Sequence, residues 1–165
     1  MNSNTKIVTV VRAVFRLENQ YLVVEQINAS GNTYLLFPGG HADPGESLVT
    51  AIKREVAEEL NVEKCIPKKI IFVKETLTPF DRTFEYFFEC EPSMYITDIR
   101  VKQKEYTGYE GIKRCLWKSA IDLETDNKFF PKHFFSKDNY QYLELNIDQY
   151  KDLYGNDRNI KALYI

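Results

Sequence analysis

The stretch that most restricts what this chain can fold into runs from Phe37 to Val62. It opens with Pro38-Gly39-Gly40, where two residues without a Cβ allow backbone conformations and close approaches that other residues forbid. Pro44-Gly45 makes a second turn. Glu46 and Ser47 are both candidate caps for a helix from about Ser47 to Leu60. At about 100° per residue, Val49, Ile52, Val56 and Leu60 fall on one side and predict a buried stripe. Glu55 and Glu59 are one turn apart and Glu58 lies between them, so the three carboxylates share a second face. Like charges at this spacing repel by roughly 0.2–0.5 kcal/mol per pair on an isolated helix. Arg54, one turn before Glu58, offsets only part of that. By itself such a trio reads as a solvated acidic face. Behind a glycine loop it reads as a set of oxygen ligands for a hard divalent ion such as Mg²⁺ or Mn²⁺.

These residues resemble the signature of the Nudix hydrolases: Gly, five residues, Glu, seven residues, then Arg-Glu-aliphatic-any-Glu-Glu-any-Gly-aliphatic. Here it reads Gly40, Glu46 and Arg54-Glu55-Val56-Ala57-Glu58-Glu59-Leu60-Asn61-Val62, a match over 23 residues that departs only where Asn61 replaces the last glycine. That glycine ends the helix in a left-handed conformation, and Asn is the next best residue there. The departure is expected to cost some stability and to spare the chemistry.

The resemblance implies an α/β fold, a Nudix-type α/β/α sandwich with a mixed β-sheet. It implies an enzyme that hydrolyses a pyrophosphate bond in a nucleoside diphosphate derivative (a nucleoside triphosphate, a nucleotide sugar or similar) by water attack at phosphorus, with Mg²⁺ or Mn²⁺. Glu55 and Glu59 are then metal ligands, the Gly39 carbonyl a further ligand, and Glu58 either a ligand or the base that activates water. Arg54 resembles the arginine that pairs with Glu46 and holds loop and helix in register. Many members add a carboxylate from a later loop. Glu105 and Glu110 are the candidates, not separated from each other, with Glu85 third.

Two readings from other classes stand beside this one. A non-catalytic Nudix-like nucleotide-sensing module usually loses carboxylates, whereas Glu55, Glu58 and Glu59 are all present. An RNA-end pyrophosphohydrolase needs cationic contacts to phosphates, and the formal net charge of −2 counts against extended ones. His41 is a candidate phosphate contact or a plain exposed loop residue; His133 reads as structural. Phe80, Tyr106 and Tyr109 are candidates for stacking on a base, set against ordinary packing. Arg100, Lys102, Lys104, Lys113 and Arg114 either meet phosphates or face solvent. Thr78-Pro79-Phe80 falls where ADP-ribose pyrophosphatases of the family carry a proline.

With 165 residues, 44% hydrophobic and 28% charged, the chain suits one soluble globular domain. It reads as a single domain over 1–165, with about 126–165 as an aromatic C-terminal extension packed on it. Cys65, Cys90 and Cys115 are an odd number and widely spaced, which speaks against a disulfide framework or a zinc site. No apolar run of about 20 residues marks a membrane span, and the first residues lack the apolar core of a signal peptide. A cytoplasmic protein is expected, monomeric or homodimeric, with a small-molecule nucleotide as its partner.

Ile7–Leu17 and Tyr21–Glu25 predict a hairpin. Tyr34–Phe37, Lys69–Thr78, Thr83–Cys90 and Ile112–Trp117 predict further strands. Residues around Pro67 read as a connection, and Thr83–Cys90 alternates like a half-buried strand. Lys118–Glu124 begins a short helix. Leu143, Ile147, Tyr150 and Tyr154 have helical spacing with Gly155 as a stop, although Tyr140–Leu145 also reads as a strand.

Overall fold

A computed structural model describes residues 6–28, 30–62, 64–78, 81–91, 111–131, 134–135, 142–144 and 161–164. The elements in chain order are β1 (Lys6–Leu17), β2 (Gln20–Ile27), β3 (Thr33–Leu36), α1 (Leu48–Leu60), β4 (Ile66–Leu77), β5 (Asp81–Glu91), β6 (Gly111–Ser119), α2 (Ala120–Thr125), β7 (Tyr142–Glu144) and β8 (Lys161–Tyr164). The predicted hairpin is there, with Arg16 opposite Tyr21 and Leu17 opposite Gln20. It splays at once. β2 runs on between β3 and β6, antiparallel to both, while β1 pairs in parallel with β5 from Lys6–Asp81 to Phe15–Cys90. β4 lies antiparallel to β5, and β8 and β7 extend that side. Parallel and antiparallel ladders together give the mixed sheet of an α/β protein.

Two cores follow from the alternation of strand side chains. On one face Val11, Ala13 and Phe15 of β1 and Phe88 and Cys90 of β5 pack against Ala51, Ile52, Val56 and Leu60 of α1. On the other face Val14, Phe72 and Phe87 meet Leu123 of α2 and an aromatic group from the chain beyond it. Phe37 stands edge-on to Phe129 at 5.4 Å and to Phe87 at 6.1 Å, and Phe134 lies 4.7 Å from Phe37. Helices thus cover both faces of the sheet. No helix among the described residues is long and apolar enough to cross a membrane.

Four expectations need correction. Val49 is 46% exposed, and Ala51 is buried in its place. The helix is rotated so that Glu55 and Glu59 turn toward the glycine loop, which swings Ala51 inward and Val49 out. Pro67 belongs to β4, near its start, where a missing N–H is tolerated and the register with β5 shifts. β5 is covered on both faces, since Phe87 and Phe88 are both buried in opposite cores. Leu143 lies in a strand, as the alternative for that stretch had it; Ile147, Tyr150, Tyr154 and Gly155 lie outside the described residues.

Candidate active site

The loop after β3 takes the edge of β1 that β2 abandons. Val11 N donates to Gly40 O at 2.9 Å, Ala13 N to Pro38 O at 2.7 Å, and Ala42 N to Thr9 O at 3.0 Å. Gly39 has φ +137°, and a Cβ there would sit 2.0 Å from the Val11 carbonyl oxygen. Only glycine fits. At Gly40 a Cβ would come within 2.6–2.8 Å of the Glu55 carboxylate, so the missing side chain is the seat on which that carboxylate rests.

The helix delivers the acids to this seat. Of the two candidate caps, Ser47 closes the N-terminus by accepting from Thr50 N at 3.1 Å. Asn61 ends the helix in the left-handed region, φ 55° and ψ 34°. Arg54 donates from Nε and Nη2 to the two Glu46 oxygens at 3.0 and 2.9 Å, from Nη1 to Glu55 Oε1 at 2.8 Å, and from Nη2 to the His41 carbonyl at 2.9 Å. The Arg54 hydrogen bonds, with the Asp43 N–H second, hold the Glu46 carboxyl below its ordinary range; Glu46 in turn raises Arg54. Glu59 Oε2 accepts from Gly39 N at 2.7 Å. Glu58 is different: its side chain is 44% exposed, with Oε2 3.6 Å from Arg54 Nη1. The three carboxylates therefore do not share one face equally, since two turn inward and one stays at the rim.

Facing them is a wall built from three strands. Arg12 of β1 donates from Nη1 to Gly39 O at 2.8 Å, and its Nη2 lies 3.5 Å from Glu85 Oε1 of β5. Lys74 of β4 donates to Glu85 Oε2 at 3.0 Å. Burial works to raise the Glu85 carboxyl, but Lys74 and Arg12 outweigh it and hold the group below its ordinary value. Beneath the helix wall, burial first and the Glu59 charge second push the Cys115 thiol up to about 12.

A cleft of about 630 Å³ lies between the walls and is lined by Glu55, Glu58, Glu59, Arg54, Gly39, Gly40 and His41 on one side and Arg12, Lys74 and Glu85 on the other. The structure thus gathers into one cleft the candidates Gly39, His41, Arg54, Glu55, Glu58, Glu59 and the third-ranked Glu85, with Glu46 behind Arg54. Glu105 and Glu110 lie outside the described residues, as do Phe80, Arg100, Lys102, Lys104, Tyr106, Tyr109 and His133. Arg114 is taken up by Glu25 at 2.7 Å, and neither it nor Lys113 lines the cleft. Arg12 and Lys74 escaped the sequence reading. The signal for Arg12 was a charge flanked by two apolar residues, Val11 and Ala13, inside a strand; both neighbours are fully buried.

Among the described residues, no group of three or more His, Cys, Asp or Glu side chains is already arranged as a cation site. Arg54 and the Gly39 N–H hold Glu55 and Glu59 instead. The donor set nevertheless fits a hard divalent ion: carboxylate and carbonyl oxygens alone, in one cleft, with Glu55 seated where Gly40 lacks a Cβ.

A family model described as the NUDIX domain matches residues 5–136. Comparison with curated protein sequences finds no match. Among solved structures, a NUDIX hydrolase from Nitrosomonas europaea is 24% identical, with TM-score 0.60, covering 93% of this chain and 92% of that one. The MutT protein from Methanosarcina mazei Go1 is 22% identical, with TM-score 0.59, over 76% of this chain and 86% of that one. The E. coli ORF135 protein is 18% identical, with TM-score 0.60, over 78% and 84%. At these identities the three likenesses concern the fold.

Proposed function

The chain belongs to the Nudix hydrolase family, and from that premise we propose that it cleaves a pyrophosphate bond in a nucleoside diphosphate derivative, such as a nucleoside triphosphate or a nucleotide sugar, by attack of water at phosphorus. The observation that carries this reading is the seating of Glu55 on Gly40 and of Glu59 on the Gly39 N–H, at one wall of a nucleotide-sized cleft. Gly39 O, Glu55 and Glu59 would hold Mg²⁺ or Mn²⁺, which when bound neutralises phosphate charge and acidifies a bound water.

The chain's own residues then divide the work. Arg54 spans Glu46 and Glu55 and fixes the angle at which Glu55 enters the cleft. Gly39 does the same for Glu59. Glu58, the rim carboxylate, takes the proton of the attacking water. Positioning and electrostatics supply most of the rate. Glu105 or Glu110 remains the proposed later carboxylate, and His41 a proposed phosphate contact at the cleft edge. We read residues 1–165 as one such domain, with about 126–165 as its extension. Residence in the cytoplasm is supported by three free thiols, Cys65, Cys90 and Cys115.

The test is a panel of nucleoside di- and triphosphate derivatives and nucleotide sugars, with Mg²⁺ or Mn²⁺ in ¹⁸O-labelled water. Cleavage within the diphosphate, with label in one phosphate product, is expected. No cleavage of any member with either metal overturns the proposal.

A further inference from the structure

The Gly39 backbone is gripped from both walls. Its N–H donates to Glu59 Oε2 at 2.7 Å, and its carbonyl accepts from Arg12 Nη1 at 2.8 Å. That carbonyl is the oxygen assigned above to a divalent cation, so a guanidinium and a cation contend for one acceptor. Arg12 has two further acceptors within reach, the neutral Phe37 carbonyl at 3.4 Å from Nη1 and the Glu85 carboxylate, of which only the second carries a charge. Its Nη2 is 3.5 Å from Glu85 Oε1, long for a hydrogen bond, while Lys74 anchors the other Glu85 oxygen at 3.0 Å. The side chains of Arg12, Glu85 and Lys74 are 13%, 14% and 10% exposed, so water and salt screen them little.

We propose that Arg12 is a positioning residue that stands on the Gly39 carbonyl in the cation's place and shifts toward Glu85 when the cation binds, so that the Arg12–Glu85 pair sets cation affinity. Lys74 keeps Glu85 where it can receive the guanidinium. The inference rests on the proposed metal role of Gly39.

A merely structural role for this pair makes a different prediction. If Arg12 and Glu85 only brace the loop, removing either one loosens the site and weakens binding. Competition gives opposite signs. Loss of the Arg12 charge removes both a rival for the carbonyl and a repulsive neighbour, and binding tightens. Loss of the Glu85 charge leaves Arg12 committed to the carbonyl and adds net positive charge, and binding weakens.

The experiment is Mn²⁺ binding without substrate, read from the electron paramagnetic resonance of free Mn²⁺, on the full chain and on Arg12→Gln and Glu85→Gln, with thermal unfolding recorded for each. We expect Kd to fall about tenfold in Arg12→Gln and to rise about tenfold in Glu85→Gln, the scale of one unit charge close by in a partly buried site. Where a glutamine variant lacks a cooperative unfolding transition, Arg12→Lys and Glu85→Asp give the same signs at smaller amplitude, because each shorter side chain recedes from its partner. Shifts of the same sign, or none, in variants of a wild type that binds Mn²⁺ overturn the proposal and leave the metal reading standing. A wild type that binds no Mn²⁺ overturns the metal reading, and this inference with it.

Discussion

The two walls of the cleft are built on opposite plans. The helix wall sets Glu46, Glu55, Glu58 and Glu59 against one guanidinium, Arg54, and grades from Glu46 and Glu55, as buried as the strand residues opposite at 12% and 13% exposed, out to Arg54 at 28% and Glu58 at 44%. The strand wall sets Arg12 and Lys74 against one carboxylate, Glu85, all of them nearly buried. Charges at a wet rim are softened by solvent and can rearrange at little cost. Charges in a strand interior are strong and expensive to orphan. The helix wall thus offers an exposed rim to an incoming ion, and the strand wall a counterweight in which Lys74 holds Glu85 in place while, on the proposal above, Arg12 changes partner. Three substitutions probe that contrast.

The largest effect belongs to the rim. Glu58→Gln keeps the shape of a half-exposed side chain and removes a proton acceptor. It should lower turnover by about 10²–10⁴-fold while unfolding at nearly the wild-type temperature. Near-normal turnover at saturating Mg²⁺ would remove Glu58 from the role of base.

Next comes the hinge between the walls. Gly39→Ala drives a Cβ into the Val11 carbonyl at a backbone angle that L-residues rarely adopt. It should destabilise the fold by about 3 kcal/mol or more in urea titration, and the residual folded protein should bind Mn²⁺ poorly. A variant as stable as wild type would show that the loop can leave β1 without penalty.

The smallest effect tests the counterweight. Lys74→Met leaves Glu85 with Arg12 as its cation and should cost about 1–3 kcal/mol at neutral pH. The pH dependence carries the sharper signature. Glu85 has a lowered folded pKa, so its contribution is present above the ordinary carboxyl value of 4.5 and is lost as pH falls through the folded value. In Lys74→Met the lowering is smaller. Its stability should fall less than that of wild type between neutral pH and the acid limb below about 4.5. Parallel stability curves for the two proteins would show that Lys74 does not set the Glu85 ionisation.

The same contrast explains what could be read from the sequence. The helix wall spans only Gly39 to Glu59, so its geometry is written in local spacing: a glycine pair, a cap and a turn repeat. Asn61 was legible as a left-handed stop for the same reason. The rotation of α1 was not, because the pull of the glycine loop on Glu55 and Glu59 is a tertiary fact, and it moved Val49 out of the stripe its spacing assigned. The strand wall brings Arg12, Lys74 and Glu85 together through a parallel pairing of β1 with β5 and an antiparallel pairing of β4 with β5. No local pattern encodes those registers. The aromatic residues Phe129 and Phe134 showed their apolar character, but not that they would complete a core begun by Phe37, Phe72 and Phe87.

The loop running beside β1 has one further consequence. Because the amides of Val11 and Ala13 are tied to carbonyls of residues 40 and 38 rather than to a neighbouring strand, their protons can swap with deuterium only when the glycine segment lifts away. Those two amides, deep in the middle of a β-strand, are a built-in gauge of how often the catalytic floor opens.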